Sequence, residues 1–301
     1  MIVTLAHLSD VHLGPLPHGS IFSDFKAKRL IGGASWLFRR RTKHLRGIAD
    51  AARDSILAEA PDHIALTGDL VNIAGKAEFL QGAKWLQEFA SPERLSFVPG
   101  NHDAYVDVPF DDGLKKFAPW MQSDRHKPGE PQFPYLRLRR NVALIGINSG
   151  CPQSYTMAGG TLGQPQLQDL SHQLEILGQQ GFYRVVMIHH PPLPDLAVRR
   201  KALTDAAALQ DVLKLHGAEL VLHGHNHRHM LNWLDTKSGP CPCIGVPSAS
   251  LKGDAKHEAA AWNMYRIRRH QSRWLTEMTT HTWNAAEGNF VAASSIVLAL
   301  Q

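Results

Sequence analysis

Ile2-Val3-Thr4-Leu5-Ala6-His7-Leu8 is an apolar run that leads straight into Ser9-Asp10-Val11-His12. β-branched and leucine residues at this density read as a buried strand, closed here by an Asp and a His two positions apart. The pattern recurs along the chain. Residues 63–67 form a short apolar strand followed by Gly68-Asp69, and residues 95–98 break at Pro99 into Gly100-Asn101-His102-Asp103. Residues 184–188 end on His189-His190-Pro191, and residues 220–222 lead to Gly224-His225-Asn226-His227. Each motif follows a strand, and each supplies Asp, Asn or His.

Helical spacing fills the intervals. Leu45, Ile48, Ala52 and Ile56 place a helix over residues 45–60, stopped by Pro61. Further helices are expected at Lys76–Phe89, 164–178 and 205–216, and a strand at 142–148. Strands alternating with helices imply βαβ units. Residues 231–250 and 261–282 read instead as paired strands, and residues 103–134, rich in Pro, Asp and Lys, as an excursion between sheet elements. The expected fold is α/β: a four-layer α/β/β/α sandwich of two mixed β-sheets flanked by helices. One domain would span 1–301, with its core at about 1–250 and a strand-rich part at 251–301. Ligands in open α/β sheets collect at the carboxyl ends of strands, where all five motifs lie.

The 301 residues are 44% hydrophobic and 20% charged, enough apolar content for a large core and too little charge for a disordered chain. Three cysteines build no disulfide framework, and the spacing of Cys241-Pro242-Cys243 is wrong for a zinc knuckle. No run of eighteen apolar residues and no basic, cleavable leader is visible, so a cytoplasmic protein is expected.

Carboxylate and imidazole together suit Mn, Fe, Zn or Co rather than Ca or Mg alone. A carboxylate has lone pairs enough to bridge two ions, and an Asn amide oxygen is a weak neutral ligand used alongside stronger ones. Two such ions roughly 3.5–4 Å apart would clamp the attacking and leaving oxygens of an in-line displacement.

In this order, Asp-x-His, Gly-Asp, Gly-Asn-His-Asp, His-x-Pro and Gly-His-x-His resemble the motifs of the calcineurin-like metallophosphoesterase superfamily, in particular its bacterial phosphodiesterase branch. The resemblance implies that Asp10, His12 and His227 hold one divalent ion, that Asn101, His189 and His225 hold a second, and that Asp69 bridges them. Mn or Fe would be preferred, with Zn or Co as substitutes. His102 would ligate nothing and would face the phosphate as electrostatic stabiliser or acid, oriented by Asp103. A hydroxide bridging the ions would attack phosphorus in line. No ligand position is substituted, so the resemblance implies an enzyme rather than a metal-binding scaffold. The implied substrates are a cyclic nucleotide, a glycerophosphodiester or a lipid-linked diester; the alternatives are a monoester or a UDP-diacylglucosamine-type lipid pyrophosphate.

Residues 22–46 bear on that choice. From Phe25 to Arg46 the chain carries eight Lys or Arg and no acid, interleaved with Leu30, Ile31, Trp36, Leu37 and Phe38. This is the composition of an interfacial helix at an anionic lipid surface. Its closeness to Asp10 and His12 puts it near the mouth of the centre, with Trp36, Arg39, Arg40 and Arg41 as candidate substrate or membrane contacts and a peripheral membrane location implied. The competing expectation is a pair of helices that pack Trp36 and Leu37 inward. No stripe of base-stacking aromatics accompanies the charge, which argues against nucleic acid. The oligomeric state stays open, since the strand-rich tail could pair within the chain or with a partner.

Overall fold

A computed structural model describes residues 2–18, 20, 27–125, 129–271 and 273–300; the start of the basic segment, 22–26, and the side chain of Arg39 lie outside the described residues. Two six-stranded sheets form the centre. The first runs, in spatial order, β12 (Asn289–Leu300), β11 (Arg273–Asn284), β10 (Ala261–His270), β1 (Ile2–Leu8), β2 (His63–Leu66) and β3 (Leu95–Phe97). Strands β1, β2 and β3 are parallel, and β10 joins β1 antiparallel. The strand-rich C-terminal part therefore completes the first sheet. The second runs β4 (Tyr135–Arg139), β5 (Val142–Gly146), β6 (Tyr183–Met187), β7 (Leu220–His223), β9 (Gly239–Gly245) and β8 (Met230–Thr236), with β5, β6, β7 and β9 parallel.

Side-chain alternation sets the layers. Val142 and Leu144 of β5 enter the core shared with the first sheet, while Ala143 and Ile145 enter a second core. Val185 and Met187 part from Val186 in the same way, and Leu220 and Leu222 from Val221. Leu170 and Leu174 of α4 (Gly163–Gln179) and Leu209 and Leu213 of α5 (Ala206–His216) cover that second face. On the first sheet, Ala52 and Ile56 of α2 (Arg46–Ala58) and Phe79, Trp85 and Phe89 of α3 (Lys76–Phe89) complete the other outer layer. Strands covered on both faces read as continuous apolar runs, which is why the parallel strands stand out in the sequence. Cys241 and Cys243 are buried in the second core, so that pair is packing.

Strand β4 is the element that the residue pattern hides, because Arg137 occupies an inward position. The residue is only 3% exposed, and its guanidinium is turned to backbone carbonyls. It donates to the carbonyls of Gln122 at 2.7 Å, Leu95 at 2.7 Å, Pro119 at 2.8 Å and also Pro92. A buried arginine thus clips the 103–134 excursion, which contains short 3₁₀ turns at Phe110–Asp112 and Leu114–Met121, back onto the sheet. Helix α1 (Ala27–Ser35) runs into a π-helical turn, Trp36–Arg40. No helix among the described residues is long and apolar enough to cross a membrane.

Two histidines of the first sheet are held neutral. Burial and the neighbouring His223 push His7 down to about 3, its Nε2 lying 2.9 Å from Thr67 Oγ1. Burial, with Arg139 beside it, likewise holds His63 well below its ordinary range. Both folded values lie under the unfolded value of 6.5, so the unfolded chain binds protons first as pH falls. The stability these rings contribute is complete above about pH 6.5 and drains away towards pH 3. Melting temperatures measured across that window should fall steadily with pH, and a flat profile would contradict the burial argument.

Candidate metal centre

The loops after β1 and β2 zip together before any side chain acts. Asp10 N donates to Gly68 O at 3.0 Å, His12 N to Asp69 O at 2.9 Å and Leu13 N to Leu70 O at 2.9 Å. The second sheet joins through His225 N, which donates to Asp10 Oδ2 at 2.9 Å, and His189 Nδ1, which donates to Thr67 O at 2.7 Å. This convergence strains the backbone. Asp10, His12, Asp69, His225 and His227 all have positive φ, between 44° and 71°, and make up half of the described non-glycine residues that do. Two glycines permit the approach. A Cβ on Gly100 would collide with Asp69 Oδ1, and one on Gly224 with Ser9 Oγ and Asp10 Oδ2.

The side chains form two donor sets. In the first, His227 Nε2 lies 3.1 Å from Asp10 Oδ1 and 3.3 Å from His12 Nε2. In the second, His189 Nε2 lies 3.2 Å from both Asn101 Oδ1 and His225 Nδ1. Asp69 Oδ2 stands between them, 3.8 Å from His12 Nε2 and 3.4 Å from His189 Nε2. His189 gives its Nδ1 proton to a carbonyl, so its Nε2 is the nitrogen left to a cation once the second ring proton is displaced. Carboxylate and amide oxygens and imidazole nitrogens that converge at these separations fit two transition-metal ions. Charge points the same way. Burial works to raise the Asp10 carboxyl, yet His227 holds it below the usual range. Burial opposes charge on His189, yet Asp69 pushes it up to about 9. His190 clusters with His189 and His225, but Ser149 Oγ at 2.8 Å and Ala158 O at 3.2 Å occupy both of its ring nitrogens.

Asp103 does not orient His102 as expected. Its carboxylate accepts the amides of Asp69 at 2.8 Å, Gly100 at 2.9 Å, Leu70 at 3.0 Å and Val71 at 3.1 Å, so it locks two motif loops together. His102 is oriented by the carbonyl of Asn72, 2.5 Å from its Nδ1. A carbonyl can only accept, so Nδ1 carries the proton, and of the two ring nitrogens near Arg40 Nη1 (Nε2 at 3.0 Å, Nδ1 at 3.2 Å) only Nε2 can accept from it. Burial, with Arg40 next to it, pushes His102 down to about 3.

The basic segment divides. Arg40 turns inward, and Trp36 is 7% exposed, lining with Arg40, Asn72, His102 and Tyr105 a cavity of about 40 Å³. Trp36 is therefore withdrawn from any membrane surface, which corrects that part of the expectation. Arg29 is buried too, donating to Ile73 O and Ala74 O. Arg41 stays exposed. Sequence reasoning passed over His44, which clusters with His12 and His227, and over Ser248, whose Oγ donates to Asp10 O at 2.6 Å. The distinguishing signal for His44 was only that it sits in the basic segment close behind Arg40.

The family described as calcineurin-like phosphoesterase matches residues 3–229. A probable cyclic nucleotide phosphodiesterase of Synechococcus sp. (strain PCC 6301) is 24% identical over 77% of this chain and 84% of its own length. Another protein of that description, from Synechococcus sp. (strain WH7803), is 28% identical over 64% of this chain and 69% of its own. The fold resembles that of a dimetal phosphatase from Danio rerio, with a TM-score of 0.66 at 14% identity over 99% of both chains.

If the donor sets hold ions, metal should stabilise the chain. Mn²⁺ at a hundred times its dissociation constant would add about 2.7 kcal/mol per site. A rise in melting temperature on Mn²⁺ addition, reversed by chelator and largely lost in Gly100→Ala, is the expected result; unchanged melting in Mn²⁺ would contradict it.

Proposed function

The chain belongs to the calcineurin-like phosphoesterase family, and within its metal-dependent phosphoester hydrolases we propose a phosphodiesterase with a cyclic nucleotide as substrate. The observation that carries the reading is Asp69 Oδ2 set against both donor sets, which is the arrangement of a bridge between two ions. Asp10, His12 and His227 would hold one ion, and Asn101, His189 and His225 the other. Two divalent ions, when bound, supply an activated water at neutral pH and neutralise phosphoryl oxygens. The names of the two cyanobacterial relatives support a diester over a monoester.

The remaining chemistry belongs to Arg40 and His102. His102 is neutral, with its proton fixed on Nδ1 toward Asn72, so it orients Arg40 rather than delivering a proton. Arg40 is a standing positive charge beside the centre, and its planar fork suits two phosphoryl oxygens. A preorganised cation of this kind is worth about 10²–10³ in rate.

A lipid-linked diester is the second reading, and one surface favours it. Phe38 is 84% exposed, Ile31 59% and Leu37 38%, beside exposed Arg41 and on the same segment that turns Arg40 inward. Apolar side chains flanked by arginine suit an anionic lipid surface.

Mn²⁺-loaded protein should hydrolyse bis-p-nitrophenyl phosphate and a cyclic nucleotide faster than p-nitrophenyl phosphate, and chelator should abolish both activities. Arg40→Ala should cost about 10²–10³ in rate at unchanged metal content. A monoester preference, or full activity in Arg40→Ala, would overturn the respective halves of the proposal. Sedimentation with phosphatidylglycerol vesicles, lost in Phe38→Ser/Arg41→Ser while soluble-diester hydrolysis persists, would select the lipid reading; no sedimentation of the parent protein would remove it.

A further inference from the structure

His44 lies outside the five motifs, yet its imidazole closes on the first donor set. Its ring centroid is 4.6 Å from that of His12 and 5.5 Å from that of His227, with planes at 65° and 85°. The donor atoms of the three rings lie within 4.8 Å of one another. His44 is only 7% exposed.

Two serine hydroxyls on its far side bear on its tautomer. Nδ1 lies 2.9 Å from Ser250 Oγ and 3.3 Å from Ser248 Oγ. The Ser248 hydroxyl gives its own proton to the carbonyl of Asp10, at 2.6 Å, so towards His44 it can only accept. Ser250 Oγ lies 3.4 Å from Ser248 Oγ and can give its own proton there; both hydroxyls then accept from His44, whose proton sits on Nδ1 and whose lone pair is on Nε2. The same hydroxyl that tethers the Asp10 backbone thus aims His44. The backbone is fixed as well, since His44 bridges to Leu251 and Leu45 N donates to Ser250 O at 2.9 Å. An imidazole that donates one N–H to an anchoring oxygen and turns its other nitrogen inward is arranged as metal ligands are.

A lone pair is the wrong partner for a phosphoryl oxygen, which is itself an acceptor. We propose that His44 Nε2 is a further protein donor to the divalent transition-metal ion held by Asp10, His12 and His227. The inference rests on the dinuclear reading above. It gives the basic segment two inward tasks, with Arg40 against His102 and His44 on the first ion.

Metal binding rather than turnover tests it. Mn²⁺ titrations followed by electron paramagnetic resonance, with Co²⁺ absorption spectra, would be recorded on the parent protein, His44→Ala and His44→Gln. Circular dichroism and melting curves confirm which variants fold, and Ser248→Ala provides a variant that leaves the imidazole in place. Two ions in the parent, with one of them bound about 10–100-fold more weakly in the folded His44 variants and an altered Co²⁺ spectrum, is the expected result. Ser248→Ala should weaken the same ion by less. Two ions at unchanged affinity, with an unchanged Co²⁺ spectrum, would overturn the role of His44 alone, whatever happens to turnover. Fewer than two ions in the parent would overturn the centre and His44 with it.

Discussion

Across the carboxyl ends of two sheets, carboxylate and amide oxygens crowd against imidazole nitrogens. The oxygens of Asp10, Asp69 and Asn101 and the ring nitrogens of His12, His189, His225 and His227 approach within 3.1–3.9 Å. Burying polar groups is costly, and burying charge more so. Much of the surrounding architecture holds these groups in place against that cost. Asp103 binds four backbone amides from two motif loops, and five ligand candidates accept a left-handed backbone. Gly100 and Gly224 stand where any side chain would collide with a carboxylate. Strain concentrated in this way marks a functional site that the rest of the fold stabilises.

The basic segment brings a second constraint. Its sequence suggests a surface element, and its outer residues Ile31, Phe38 and Arg41 are exposed. Its inner residues belong to the centre, with Arg40 on His102, His44 beside His12 and Trp36 lining a cavity with Arg40 and His102. One element therefore runs from the centre to an exposed surface of apolar and arginine side chains, and the proposed reading assigns substrate preference to it rather than to the five motifs.

The parallel strands and their helices were legible because strands buried on both faces are apolar throughout and α3 has a complete amphipathic period; its bounds match expectation. Strand β4 was not, because Arg137 is buried among carbonyls and breaks the alternation by which strands are recognised. The motif residues were legible as a group through their order and their place after strands. The partner of His102 was not, since Asn72 contributes a backbone carbonyl, which no residue type announces. His44, Ser248 and Ser250 were hidden for a related reason. They meet through the pairing of residues 44–45 with 250–251, some two hundred positions apart, and only the folded chain brings them together.

The central claim is that Asp69 stands between two metal ions. Anomalous diffraction at the manganese edge from Mn²⁺-soaked crystals tests it most directly. Two peaks about 3.5–4 Å apart are predicted, one within bonding distance of Asp10, His12 and His227, the other of Asn101, His189 and His225, with the Asp69 carboxylate touching both. A single peak, or two peaks that Asp69 does not join, would contradict the account.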